Sequence, residues 1–143
     1  MPNIDRERQL RVVAELLLVH FPECVDTDQD LAHDLLAVVG TALQAVSDDV
    51  EQSAKAWDKR AYHVRADELR REWDWAMGAA NYALGLALRP ERVTKSMVTR
   101  LRTLIQPGLE KPARKQIQDP TRFRGAAQAV RVQQAQKRKP VRW

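Results

Sequence analysis

WDKRAYHVRADELRREWDW, residues 57–75, places three of the chain's four tryptophans among ten charged residues. The stretch lies in a proline-free interval of 67 residues between Pro22 and Pro90. Because proline breaks the interior of a helix, such an interval leaves room for long helices. Residues 50–88 therefore predict a helical region up to about 40 residues long, roughly 60 Å if unbroken.

The composition of the chain also favours helices over sheet. Its 143 residues are 44% hydrophobic, with only five glycines and few β-branched runs between the prolines. A chain of this length forms one domain with a core of its own. We predict an all-α protein, with a bundle of about four to five helices over residues 1–106 and a basic C-terminal tail over residues 107–143.

Apolar residues at helical spacing locate the first two helices. The first is predicted over about residues 4–20, and residues 22–30 form a connection in which Thr27, with Asp30 three residues later, caps the next helix. Residues 47–49 could either interrupt the second helix or begin a new one. The apolar stripe of the second helix consists of Leu31, Leu35, Val38, Ala42 and Val46.

The apolar face changes direction within residues 50–88. On a helical wheel it rotates by roughly 120°, so the helix changes neighbours or kinks near residues 61–66. A last bundle helix is predicted over about residues 91–105. Its inward side chains are predicted to be Val93, Met97, Leu101 and Leu104.

Charge is distributed unevenly along the chain. Residues 1–88 hold 9 basic and 16 acidic side chains, a net charge of −7, whereas residues 89–143 hold 15 and 3, a net charge of +12. This asymmetry indicates a basic part that meets a polyanion, most often nucleic acid. RNA or single-stranded DNA is favoured, and an acidic protein is the alternative partner.

The basic residues of the last helix and of the tail are the candidate phosphate ligands. Arg92, Lys95 and Arg102 share a helix face with Thr99, although an ordinary solvated face has the same pattern. The tail is expected to be mobile alone, and residues after Pro120 to form a basic helix when bound. Its candidates are Arg114, Lys115, Arg122, Arg124, Arg131, Lys137, Arg138 and Lys139.

The tryptophan-rich region permits two interpretations. A helix that is apolar on two faces is normally central in its bundle and covered on both sides. Alternatively, Arg71, Trp75 and Tyr82 lie one above another and form an exposed platform on which unpaired bases stack. The spacing alone does not separate these interpretations.

Motifs for catalysis or for metal binding are missing from the sequence. DTDQD at residues 26–30 opens like a calcium loop, but Leu31 replaces the required glycine. The three histidines are scattered, and Cys24 is the single cysteine. We expect no enzyme activity, no cofactor and no metal. The lone cysteine, with no membrane segment, indicates a cytoplasmic protein.

A helical chain of this size with a basic face resembles the small helical subunits of CRISPR effector complexes. The resemblance covers residues 1 to about 105, and no binding residue is transferred from it. Those subunits line a multisubunit filament and contact the guide and target strands. We therefore predict a noncatalytic nucleic-acid-binding subunit of a ribonucleoprotein or protein–DNA assembly, with other protein subunits as partners and backbone phosphates as ligands.

Two alternative functions remain open at this point. One is a scaffold or adaptor that docks on an acidic protein through Trp75, Tyr82 and the tail, because these residue types dominate interface hot spots. The other is a helix-turn-helix regulator that reads DNA with residues 91–105. The link LRPERV, residues 88–93, fits that motif poorly.

Overall fold

A computed structural model describes residues 5–137, and this part of the chain contains helices and no strand. The predicted all-α helical bundle is confirmed. A π-helical turn, Leu16–His20, and a 3-10 turn, Pro120–Phe123, complete the regular structure. The α-helices are α1 (Arg6–Glu15), α2 (Phe21–Cys24), α3 (Gln29–Lys59), α4 (His63–Glu72), α5 (Trp75–Leu88), α6 (Lys95–Leu104) and α7 (Ala126–Lys137).

The first helix continues through Pro22, beyond its predicted end. The π turn leads directly from α1 into α2, and the N–H of Phe21 bonds to the carbonyl of Leu16, five residues back. This wider turn accommodates a proline, which has no N–H to donate. The next helix is capped by Asp28, whose carboxylate accepts from the N–H of Leu31 at 3.1 Å, so the prediction of Thr27 as the cap was wrong.

Helix α3 is the centre of the bundle, and α1, α4, α5 and α7 pack against it. It runs unbroken through residues 47–49, for about 46 Å at the α-helical rise. Leu35, Leu36 and Leu43 are fully buried on it. Despite the length of α3, none of the helices in the described range is long and apolar enough to cross a membrane.

The region after α3 returns antiparallel to it as two helices. The chain reverses at Ala61, which has a positive φ of 65°, close to the predicted change of direction. A second break at residues 73–74 separates α4 from α5, so residues 50–88 do not form one long helix. Helices α3 and α5 approach closely where Gly40 faces Leu84.

The segment after Pro107 is packed on the bundle, which corrects the prediction of a separate mobile tail. Ile117 and Ala127 belong to the hydrophobic core. The carboxylate of Asp34 in α3 accepts from the N–H groups of Gly125 and Ala127, both at 3.0 Å. These bonds satisfy amides at the start of α7, as a capping side chain does. Helix α7 is thus held by contacts with α3 and with the hydrophobic core.

Candidate functional site

A cleft lined by four arginines lies between α1 and the segment 112–122. Its volume is about 790 Å³. Arg8 and Arg11, one helical turn apart on α1, line one side, and Arg114 and Arg122 line the other. All four side chains are exposed, and none pairs with a carboxylate among residues 5–137. The cleft therefore presents four guanidinium groups to solvent.

Glu15 forms the floor of this cleft and fixes its shape. Its buried carboxylate accepts from the N–H groups of Gln116 and Ile117 at 2.6 and 2.8 Å, and it lies 2.7 Å from Nε2 of His20. Burial alone would raise the pKa of Glu15, but these hydrogen bonds lower it below its usual value. Glu15 therefore stays ionised at neutral pH and positions the segment that carries Arg114.

A short 3-10 turn presents Arg122 to the cleft. Asp119 caps this turn by accepting from the N–H and the hydroxyl of Thr121, and these bonds lower the pKa of Asp119. The guanidinium of Arg122 lies 4.8 Å from the ring centroid of Phe123. Because a guanidinium is planar and always charged, it suits bidentate contacts to phosphate.

The residues predicted around the last helix do not form one free cationic face. Arg92 precedes α6, and Lys95 lies 3.6 Å from Asp26. The hydroxyls of Thr99 and Thr103 donate to carbonyls of their own helix, so neither is free to donate to phosphate. Arg102 remains exposed.

The apolar face of α6 also differs from the prediction. Leu104, predicted to face inward, is 37% exposed. Val98 and Ile105 are buried, together with the correctly predicted Val93 and Leu101. The helix starts at Lys95 rather than near residue 91, so the buried Val93 lies in the preceding loop and not on the helix.

Several predicted tail ligands are used inside the molecule. Arg124 pairs with Asp28, and their hydrogen bond raises the pKa of Arg124 and lowers that of Asp28. Lys115 lies 3.6 Å from Glu23, and Arg131 donates to the carbonyl of Leu88 at 3.2 Å. Lys137 is exposed at the end of α7, and Arg138 and Lys139 lie outside the described residues.

The exposed platform predicted from Arg71, Trp75 and Tyr82 is not formed. Trp75 is only 7% exposed, its Nε1 donates to the carbonyl of Glu72 at 3.1 Å, and its ring lies 5.7 Å from that of Trp73. Tyr82 is half-buried against the core, and Arg71 alone is exposed. The interpretation of this region as a covered helix is therefore correct for Trp75.

Sequence reasoning missed Arg8 and Arg11 because they belong to the acidic part of the chain. Their spacing of three residues on the polar face of α1 was the available signal. No group of three or more His, Cys, Asp or Glu side chains within residues 5–137 is arranged to hold a metal ion. Comparisons with models of known protein families, with curated proteins and with solved structures found no match for this chain.

Proposed function

We propose that this protein is a noncatalytic nucleic-acid-binding subunit of a ribonucleoprotein or protein–DNA assembly. The observation that supports this most directly is the cleft, in which four exposed guanidinium groups from two distant parts of the chain have no carboxylate partner within the described residues. Phosphate oxygens are the ligands that such a group of arginines favours. RNA and single-stranded DNA are the proposed polymers.

The proposed role is to hold the backbone of the polymer, while sequence specificity comes from other components. Contacts to phosphate position a protein but carry no sequence information. A small helical subunit of a CRISPR effector complex would have this role, with neighbouring protein subunits as partners. A cytoplasmic location is part of the proposal, since the single cysteine, Cys24, is free and cannot form a disulfide within the chain.

The acidic-partner adaptor is less well supported by the geometry. It was predicted to dock through Trp75, Tyr82 and the tail, but Trp75 is buried and Tyr82 is half-buried against the core. Side chains covered by their own fold cannot serve as interface anchors without a rearrangement.

A matched pair of variants tests the cleft. The first replaces Arg8, Arg11, Arg114 and Arg122 by glutamine, and the second replaces the four cations of α6 and its approach, Arg92, Lys95, Arg100 and Arg102. Both remove four charges. We expect the cleft variant to lose more affinity for a labelled single-stranded RNA. The negative slope of its log affinity against log salt should decrease in magnitude by about 3.

Fluorescence anisotropy at several salt concentrations gives both quantities. Circular dichroism is the control that each variant keeps its helix content. Equal losses in the two variants would show that diffuse charge, not the cleft, binds the polymer. Failure of the unmodified protein to bind any polyanion at low salt would refute the proposed function.

A further inference from the structure

The turn between α3 and α4 carries a pair of aromatic rings, of which Tyr62 is exposed and Trp57 is half-buried. We name residues 55–65 the hairpin tip. Tyr62 is 58% exposed there, and the neighbouring Val64 is 74% exposed. The ring of Tyr62 lies edge-on to that of Trp57, with centroids 6.0 Å apart, and the guanidinium of Arg65 lies 4.3 Å from the centroid of Trp57.

The hairpin tip is cationic although it belongs to the acidic part of the chain. Its four cations are Lys55, Lys59, Arg60 and Arg65, and its one acid is Asp58. The carboxylate of Asp58 is already engaged by Nδ1 of His63 at 2.8 Å and by Arg70 at 2.9 Å. In the part of the chain that the structure describes, none of the four cations has a carboxylate partner.

The backbone holds the two rings in this arrangement. Ala61 adopts a left-handed conformation, which is unfavourable for a residue with a Cβ atom. Two hydrogen bonds fix the turn, from the N–H of Ala61 to Asp58 and from the N–H of Tyr62 to Trp57, both at 2.9 Å. The exposed ring of Tyr62 is therefore pre-organised beside the cations, which reduces the entropy lost when a ligand binds.

We propose that the hairpin tip binds unpaired bases of a single-stranded nucleic acid. The ring of Tyr62 stacks on a base, while Lys59 and Arg60 neutralise the phosphates beside it. This inference rests on the proposed function and extends it, because it names a second contact that requires unpaired bases. Aromatic rings next to cations are the arrangement that binds single strands without sequence preference.

The size and charge of the hairpin tip favour a nucleic acid over a protein partner. A stable protein interface buries at least about 1,200 Å² in total and has an apolar centre. Tyr62 and Val64 are the exposed large hydrophobic residues of the hairpin tip, and cations surround them. Two side chains do not make an apolar interface core, but one ring is enough to stack on one base.

The test compares a labelled oligo(dT) with an abasic oligodeoxynucleotide of the same length, which has the same phosphates but no bases. We expect the unmodified protein to bind oligo(dT) more tightly by about fivefold or more. Tyr62→Leu should abolish this preference and leave the affinity for the abasic strand unchanged. Tyr62→Trp, which keeps an aromatic ring, should retain the preference.

Three other outcomes would contradict the inference, and each has a different meaning. If both strands bind equally, or if Tyr62→Leu keeps the preference, the hairpin tip does not stack on bases and the phosphate cleft is unaffected. If poly-glutamate binds the protein and Tyr62→Leu weakens that binding but not the binding of oligo(dT), the ligand is an acidic protein. If neither oligonucleotide binds, the proposed function fails together with the inference. An unchanged melting temperature of Tyr62→Leu shows that the variant is folded.

Discussion

The buried carboxylates of two residues, Glu15 and Asp34, connect the acidic part of the chain to the basic part. Each one accepts from two backbone N–H groups located more than 90 positions away. Burying an ionised carboxylate is costly unless hydrogen bonds compensate for the lost water. These two acids are therefore structural. They hold the basic segment through its backbone N–H groups, so they leave the side chains of Arg8, Arg11, Arg114 and Arg122 free to bind anions.

Replacement of Glu15 by glutamine tests this role. Glutamine has one acceptor oxygen, and its NH₂ group would face a backbone donor, so we expect the free energy of unfolding to fall by about 1–3 kcal/mol. Thermal or urea denaturation measures the change. Glu110→Gln, which alters an exposed acid, is the matched control and should change stability little.

The pH dependence of stability gives the same test a second readout. The pKa of Glu15 is lower in the folded protein, so between the two pKa values the unfolded chain binds more protons. The stabilisation that ionised Glu15 contributes is complete above its unfolded pKa of about 4.3. It is lost as the pH falls through the lower pKa that Glu15 has in the folded protein. The glutamine variant should lack this component, and identical acid profiles for variant and parent would contradict the role.

At the scale of helices, α3 and α5 approach each other closely at Gly40. A Cβ atom at Gly40 would lie 2.6 Å from Cγ of Leu84 and 3.1 Å from its backbone nitrogen. Leu84 is itself buried, so it cannot move freely away. Glycine is thus required at position 40 because α3 and α5 approach closely there, and not because of its backbone conformation.

Alanine substitutions at three helical glycines should separate packing from helix propensity. Gly78→Ala and Gly85→Ala in α5 have open space around the new Cβ, so each should stabilise the protein by about 0.5–1 kcal/mol. Gly40→Ala gains the same propensity but overpacks the interface, which costs about 1–3 kcal/mol. Thermal denaturation should therefore show a higher melting temperature for Gly78→Ala and Gly85→Ala and a lower one for Gly40→Ala. A stabilised Gly40→Ala variant would contradict the close approach of the two helices.

Sequence periodicity predicted the helices better than it predicted their ends. The apolar stripe of α3 and the turn near Ala61 follow from local pattern. The π turn before Pro22 and the cap at Asp28 depend on hydrogen bonds that a pattern does not specify. The cleft was half predicted, since Arg114 and Arg122 were candidates, but their meeting with α1 depends on contacts between residues about 100 positions apart.

Across the whole molecule, the charge separation seen in the sequence is partly neutralised by folding. Acids near the start of α3, namely Glu23, Asp26 and Asp28, lie beside Lys115, Lys95 and Arg124. Such exposed pairs contribute little stability each, but they use cations that would otherwise face a ligand. Among the described residues, the cleft and the hairpin tip are two places where several cations without a carboxylate partner lie together, at different positions along the bundle.

Removal of residues 107–143 tests whether the C-terminal segment belongs to this single folded unit. If residues 1–106 formed a separate bundle, as the sequence predicted, this bundle would keep a cooperative thermal transition without the segment. The structure predicts a less stable product, because Ile117 leaves the core and Glu15 and Asp34 lose their backbone partners. Loss of Ile117 burial alone corresponds to about 2 kcal/mol.

A single cut in the exposed loop near Gly108 provides the matched control, since it breaks the chain without removing the C-terminal segment. After cleavage at an engineered protease site there, the two fragments should elute together in size-exclusion chromatography at physiological salt. They should separate when Glu15→Gln and Asp34→Asn are combined, because this weakens the four hydrogen bonds from backbone N–H groups of one fragment to carboxylates of the other. A truncated protein as stable as the full chain would show that the C-terminal segment only rests on the bundle, and the cleft would then have no fixed second wall.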